Sequence, residues 1–239
     1  MSDIDYSQFR VLTFDVVGTL IDFERGVLDS VRRLGGDAAA QLSDDEIFGP
    51  YKAGRSANPG RSSQAMANVY RHLASELGLP ADDARAEAFQ LDVINWPEFE
   101  DSVEAMQRLG RHFQLVAMTN ADRTAYTAYA QRLGWPFDDS VTFDETDIAK
   151  PDPQFFAYNR GRQYARGFRQ DQILHVAQSQ YHDIGVAREQ GYTVCWIERR
   201  HDQRGFGGTP DPARVTEPDM HFTSLAQLAD AVERSTASA

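Results

Sequence analysis

Three short apolar runs in this chain each stop at a polar side chain. Asp15 follows Val11-Leu-Thr-Phe14, Thr119-Asn120 follows Phe113-Gln-Leu-Val-Ala-Met118, and Gln178-Ser179 follows Ile173-Leu-His-Val-Ala177. Asp183 comes shortly after the last of these, and Lys150 sits in a loop ahead of Pro151. A carboxylate placed like Asp15 can act as nucleophile, base or metal ligand. One carboxylate, one ammonium, a few neutral donors and a second carboxylate together suit nucleophilic displacement on an anionic substrate.

Each apolar run reads as a buried strand. In open α/β sheets, ligands bind beyond the carboxyl ends of strands, so the three strand ends should converge on one crevice. Gly18 lets the chain turn tightly after Asp15. From residue 96 onward, strands and helices alternate: helix over 102–109, strand over 113–118, helix over 123–133, a short strand over 141–143, helix over 153–164, strand over 173–177, helix over 181–190, strand over 193–197. A Gly- and Pro-bearing loop over 201–219 leads to a last helix over 225–232. This rhythm predicts a parallel sheet with right-handed crossovers.

Residues 23–95 look wholly helical. Val27, Leu28, Val31 and Leu34 share a helical face closed by Gly35-Gly36. Ser43-Asp-Asp-Glu46 is a capping box that starts a second helix, which Gly49-Pro50 and Gly54 should interrupt. Ser62 or Ser63 should cap a third helix carrying Met66, Val69, Tyr70, Leu73 and Leu77. A fourth spans 81–94, and Trp96-Pro97 marks the return. The expected architecture is α/β: a Rossmann-like parallel sheet core over 1–22 and 96–239, with an inserted four-helix cap domain over 23–95.

At 239 residues the chain can bury one α/β core plus a modest second unit. A formal charge of −12 argues against broad binding to nucleic acid or an acidic membrane. A small anionic organic substrate stays compatible, since a few local cations can reverse the field inside a pocket. Cys195 is the single cysteine, so no internal disulfide forms and a reducing compartment fits. The start lacks an apolar leader and no run approaches a membrane span, which makes cytoplasmic the expected location. A homodimer is left open, because no heptad or distinct patch specifies one.

These residues resemble the haloacid dehalogenase superfamily along nearly the whole chain. Phe14-Asp15-Val-Val-Gly18-Thr19-Leu20 is similar to its first motif, Met118-Thr119-Asn120 to its second, Lys150-Pro151-Asp152 to its third, and His175 through Asp183-Ile184 to its fourth. Phosphatases of the superfamily carry a second Asp two residues after the nucleophile, where this chain has Val17. They also place a magnesium-holding Asp early in the fourth motif, where this chain has Gln178-Ser179. Without that general acid an alkoxide leaving group receives no proton, and with one carboxylate fewer a hard cation is held less well. A halide leaves without a proton.

Both departures imply the 2-haloacid dehalogenase branch, with no metal and no cofactor. The resemblance implies Asp15 as nucleophile, with Lys150, Asp183 and Ser179 as its catalytic partners. Thr19, Thr119, Asn120, Gln178 and the backbone at Val16 and Val17 would hold the substrate carboxylate. Lys52 and Arg55 are the cap cations that compete for the role of the family's cap arginine, and Phe156 stands where many dehalogenases have tyrosine. The implied reaction releases halide through an aspartyl ester and yields a 2-hydroxy acid. The rival readings are a hydrolase for a phosphate ester or a strained C–N bond, and a binding protein that kept the fold. His182 reads as a supporting or surface histidine, Trp96 as hinge or core, and Tyr126 and Tyr129 as packing.

Overall fold

The computed structural model describes residues 5–237. The Met1 start, read above as leaderless, and the last two residues of the Ser/Ala tail lie outside them. The sheet has six strands: β1 (Val11–Phe14), β2 (Gln114–Met118), β3 (Asp139–Val141), β4 (Ile173–Ala177), β5 (Thr193–Ile197) and β6 (Met220–Phe222). Their order is β3-β2-β1-β4-β5-β6, and every neighbouring pair is parallel.

Successive residues of the strands feed two separate apolar clusters. Leu12, Phe14, Leu115, Leu174 and Val176 enter one, while Val11, Val116, Met118, Ile173 and Val194 enter the other. Both faces of the sheet are therefore covered, which is why β1 and β4 are buried at every position and mostly apolar rather than alternating. Phe14 pairs with Ala117 on one side and Val176 on the other, so three polar strand ends emerge side by side. The chain leaves β1 toward β2 and β3, then returns to build β4 to β6 on its opposite side. That reversal makes the β1/β4 boundary the crevice.

Between β1 and β2 lie α1 (Phe23–Gly35), α2 (Asp37–Ala40), α3 (Asp44–Ala57), α4 (Ser62–Leu77) and α5 (Asp83–Asp92). The one-turn α2 exceeds the four helices expected. The capping box of Ser43 and Glu46 forms as read. The expected interruption of α3 does not occur, since the helix runs through Gly49, Pro50 and Gly54. At Gly54 the reason is packing: a Cβ there would stand 3.2 Å from the Val69 carbonyl oxygen on α4. The small residue lets α3 and α4 close up, and tertiary contact overrides the local signal. Neither Ser62 nor Ser63 caps α4. Its N-cap is Arg61, which makes no side-chain cap bond, and the Ser63 N–H donates instead to Asp122 Oδ2 at 2.7 Å.

The remaining helices are α6 (Ser102–Leu109), α7 (Arg123–Arg132), α8 (Phe143–Thr146), α9 (Pro153–Ala165), α10 (Gly185–Glu189) and α11 (Leu225–Ala237). The third strand falls at Asp139–Val141 rather than 141–143, because Thr142 and Glu145 form a capping box that opens α8. Residues 181–190 are not one helix. A wide π-turn over Gln180–Ile184 precedes α10. Among the described residues, no helix is long and apolar enough to cross a membrane.

Candidate active site

Asp15 leaves β1 with its N–H donated to the Val176 carbonyl, 3.1 Å away. Gly18 turns the chain at φ +98°, a conformation that side chains oppose. The turn brings the Thr19 hydroxyl to Asp15 Oδ2 at 2.7 Å, and Thr19 Oγ1 in turn accepts the Gln178 N–H at 2.8 Å. From the other side, Arg199 Nε and Nη2 donate to the Thr19 carbonyl at 3.1 and 2.9 Å. Thr19 is fully buried behind Asp15. It braces the carboxylate and is not among the residues that line the cavity.

The Lys150 ammonium spends its three hydrogens on Asp15 Oδ1 (2.8 Å), Asp183 Oδ1 (2.6 Å) and the Met118 carbonyl (2.7 Å). Its backbone is clamped by Asn120, whose Oδ1 accepts the Lys150 N–H at 2.7 Å and whose Nδ2 donates to the Lys150 carbonyl at 2.9 Å. The amide of Asn120 thus positions Lys150, with one N–H and its oxygen used on that backbone. Thr119 Oγ1 likewise accepts the Ala121 N–H, although Thr119 and Asn120 both border the cavity.

Burial raises the Asp15 carboxyl above its ordinary value; Lys150 pulls it back, and the Asp183 charge adds to the rise. Burial would raise Asp183 too, but Lys150 and the hydrogen bond from His175 outweigh it and hold this carboxyl low. Lys150 itself is disfavoured as a cation by burial, and the two aspartates overcome that and raise it. The shared ammonium favours ionisation of both carboxylates, and the added bond from His175 sets Asp183 below Asp15.

His175 had no role assigned from sequence. It is fully buried on β4, with Nε2 3.0 Å from Asp183 Oδ1 and Nδ1 2.9 Å from Thr13 Oγ1. The signal was a lone polar ring inside an apolar strand, since a buried polar group demands partners. Asp183 Oδ2 is buried and has no protein partner.

Asp15, Lys150 and Asp183 open onto a cavity of about 340 Å³ between the sheet edge and the inserted helices. Val17, Lys52, Arg55, Gln178 and Ser179 also line it, with Phe23, Tyr51, Trp96 and Tyr129 as an aromatic wall. The Val16 side chain does not reach it; it is fully buried in the core. Lys52 is paired with Asp211 at 3.3 Å. The Arg55 guanidinium only approaches the Met66 sulfur, at 3.9 Å, and has no carboxylate partner among the described residues. Ser179 accepts the His182 N–H at 2.8 Å and faces its Nδ1 at 3.2 Å.

Residues 9–190 match the haloacid dehalogenase-like hydrolase family. The chain belongs to that family. It is 22% identical over 196 residues to an (S)-2-haloacid dehalogenase of Pseudomonas putida, covering 80% of this chain and 85% of the other. Its fold superposes on the L-2-haloacid dehalogenase of Xanthobacter autotrophicus with a TM-score of 0.74 at 16% identity, over 95% of this chain and 99% of that one. It also superposes on a HAD-hydrolase from Bacillus subtilis, YfnB, bound to magnesium, with a TM-score of 0.72 at 20% identity, covering 94% of this chain and 99% of that one.

Within this family member, Trp96 and Tyr129 are core residues that also border the cavity. His182 borders it as well; burial lowers the ring to about 4 against the opposing Asp183 charge, with Lys150 and Arg55 adding to the lowering, so it is neutral near pH 7. Gln180 turns away and exchanges hydrogen bonds with the Thr216 backbone. For a cation, the carboxylates at hand are Asp15 and Asp183, and Lys150 binds Oδ1 of each. Among the described residues, no group of three or more His, Cys, Asp or Glu could hold a metal ion.

Proposed function

We propose that this haloacid dehalogenase-like hydrolase cleaves the carbon–halogen bond of a small 2-haloalkanoic acid. One observation carries the reading. Asp15 is clamped by Thr19 and Lys150, and the side chain two residues on that shares its cavity is the apolar Val17. An alkoxide leaving group would need a proton donor there, whereas a halide leaves as a stable anion. The named relatives support the choice, and Arg55 supplies a cation without a carboxylate partner for an anionic ligand.

In this reaction Asp15 attacks the carbon next to the substrate carboxylate, displacing halide with inversion and forming an aspartyl ester. Lys150 holds the nucleophile and then partners the Asp183 carboxylate once Asp15 is esterified. Water, oriented by Asp183, attacks the ester carbonyl and frees the 2-hydroxy acid. Arg55, and Lys52 once released from Asp211, would draw the anion in; Ser179 and Gln178 border the same space.

The test is anion release from chloro-, bromo- and fluoroacetate, from both enantiomers of 2-chloropropionate, and from an aryl phosphate, with magnesium and again with chelator. Asp15→Asn serves as the blank. Halide release that survives chelation and disappears in the variant is expected. Phosphate release that requires magnesium would overturn the proposal, and a chain silent toward every compound would point to binding without turnover.

A further inference from the structure

The second half of the proposed reaction needs one oxygen of Asp183 to be free and aimed at water, and nothing about a carboxylate alone decides which. Lys150 and His175 both bind Oδ1, at 2.6 and 3.0 Å. A carboxylate only accepts, so the His175 nitrogen facing it carries a hydrogen. That leaves Nδ1 to the Thr13 hydroxyl at 2.9 Å. The ring is further wedged edge-on against Phe156 and Tyr192, with centroids 5.5 and 6.3 Å away. Its Nε2–H is therefore directed at Asp183 and the ring is fixed in rotation. Asp183 Oδ2 is left buried, unpartnered and attached to a residue of the cavity wall.

We propose that His175 is a positioning residue for ester hydrolysis: seated on Thr13, it pins Oδ1 of Asp183 and thereby presents Oδ2 to the attacking water. This rests on the dehalogenase reading above. In the step, the water oxygen bonds to Asp15 Cγ and one water proton passes to Asp183 Oδ2. The bond between Cγ and the substrate-bearing oxygen then breaks, and that oxygen takes the proton back from Asp183 and departs as the 2-hydroxy acid. The second water proton leaves Asp15 for solvent, and both carboxylates are restored. Buried orienting partners of this kind govern how well a reacting group performs without touching substrate.

The experiment follows both half-reactions with bromoacetate in wild type, His175→Leu, His175→Gln and Thr13→Val, using rapid-quench bromide assay and intact-protein mass. His175→Leu should release one bromide per enzyme at the wild-type rate, then turn over roughly tenfold to a hundredfold more slowly, with the carboxymethyl ester accumulating on the protein. His175→Gln sets an amide donor near the place of Nε2 and should recover most of the turnover. The nearly isosteric Thr13→Val should show a smaller accumulation of the same kind, and it carries the test if His175→Leu does not fold. Equal slowing of both phases without ester, or a glutamine no better than leucine, would overturn the proposal while the dehalogenase reading stands. No bromide release from wild type would overturn both.

Discussion

Asn120 and Lys150 are joined by two opposed hydrogen bonds, 2.7 and 2.9 Å long, between one side-chain amide and the backbone N–H and carbonyl of one residue. The pair connects the end of β2 to the loop carrying the site's ammonium, just ahead of the cis Lys150–Pro151 peptide. An amide used this way sets where Nζ stands between two aspartates. Asn120→Ala should therefore lower kcat roughly tenfold to a hundredfold by misplacing the nucleophile's partner, with KM little changed. Steady-state kinetics check it, and a rise in KM alone would return Asn120 to the substrate.

Replacing Lys150 leaves two buried carboxylates facing each other. Lys150→Gln should destabilise the fold by about 3–5 kcal/mol in urea titrations. Without the ammonium, burial and mutual repulsion raise both carboxyls above their unfolded values, so the loss grows as pH rises. The variant should lie closer to wild type at pH 5 than at pH 8. A pH-independent gap would mean the carboxylates find another partner.

The two cap cations should behave differently. Lys52 is already neutralised by Asp211, whereas Arg55 has no carboxylate among the described residues. Arg55→Leu is expected to raise KM roughly tenfold or more, in keeping with the loss of a charged hydrogen bond, and Lys52→Leu should raise it less. KM values for both variants on one haloacid decide the order.

His182 gives the fold an acid limit. Burial lowers the folded ring to about 4, below the 6.5 of an ordinary imidazole, so the unfolded chain binds the extra proton first. The stabilisation is complete above pH 6.5, fades as pH falls, and is gone near pH 4, amounting to about 3 kcal/mol at most. Melting temperatures at pH 7, 5.5 and 4.5 should fall more steeply for wild type than for His182→Asn.

Asp122 caps two helices at once. Oδ1 accepts the Ala125 N–H of α7 at 3.1 Å while Oδ2 accepts the Ser63 N–H of α4 at 2.7 Å, from a side chain only 1% exposed. Asp122→Ala should cost about 1–2 kcal/mol or somewhat more in chemical denaturation, since each lost cap alone falls in that range. Asp122→Asn, which keeps an acceptor for one cap, should cost less.

Much of this was legible without coordinates. Apolar runs ending in Asp15, Thr119-Asn120 and Gln178-Ser179 fixed the central strands and the edge where they meet, because sheet burial on both faces demands unbroken apolar segments. The helical insertion was equally readable from Val27 to Ile94, since its apolar spacing is local. What spacing could not convey was which polar side chain bonds to which. Thr19 and Asn120 carry the same donors and acceptors whether they hold a ligand or a neighbour, and only the turn at Gly18 and the clamp on Lys150 decided it. Gly54 read as a breaker until α4 packed against α3. His175 stood out in sequence only as a polar ring in an apolar strand, because its partners, Thr13 and Asp183, come from a neighbouring strand and a later turn. Periodicity records which face a residue lies on; the pairing of buried polar atoms is set by distances across the fold, and those exist only once the chain has closed.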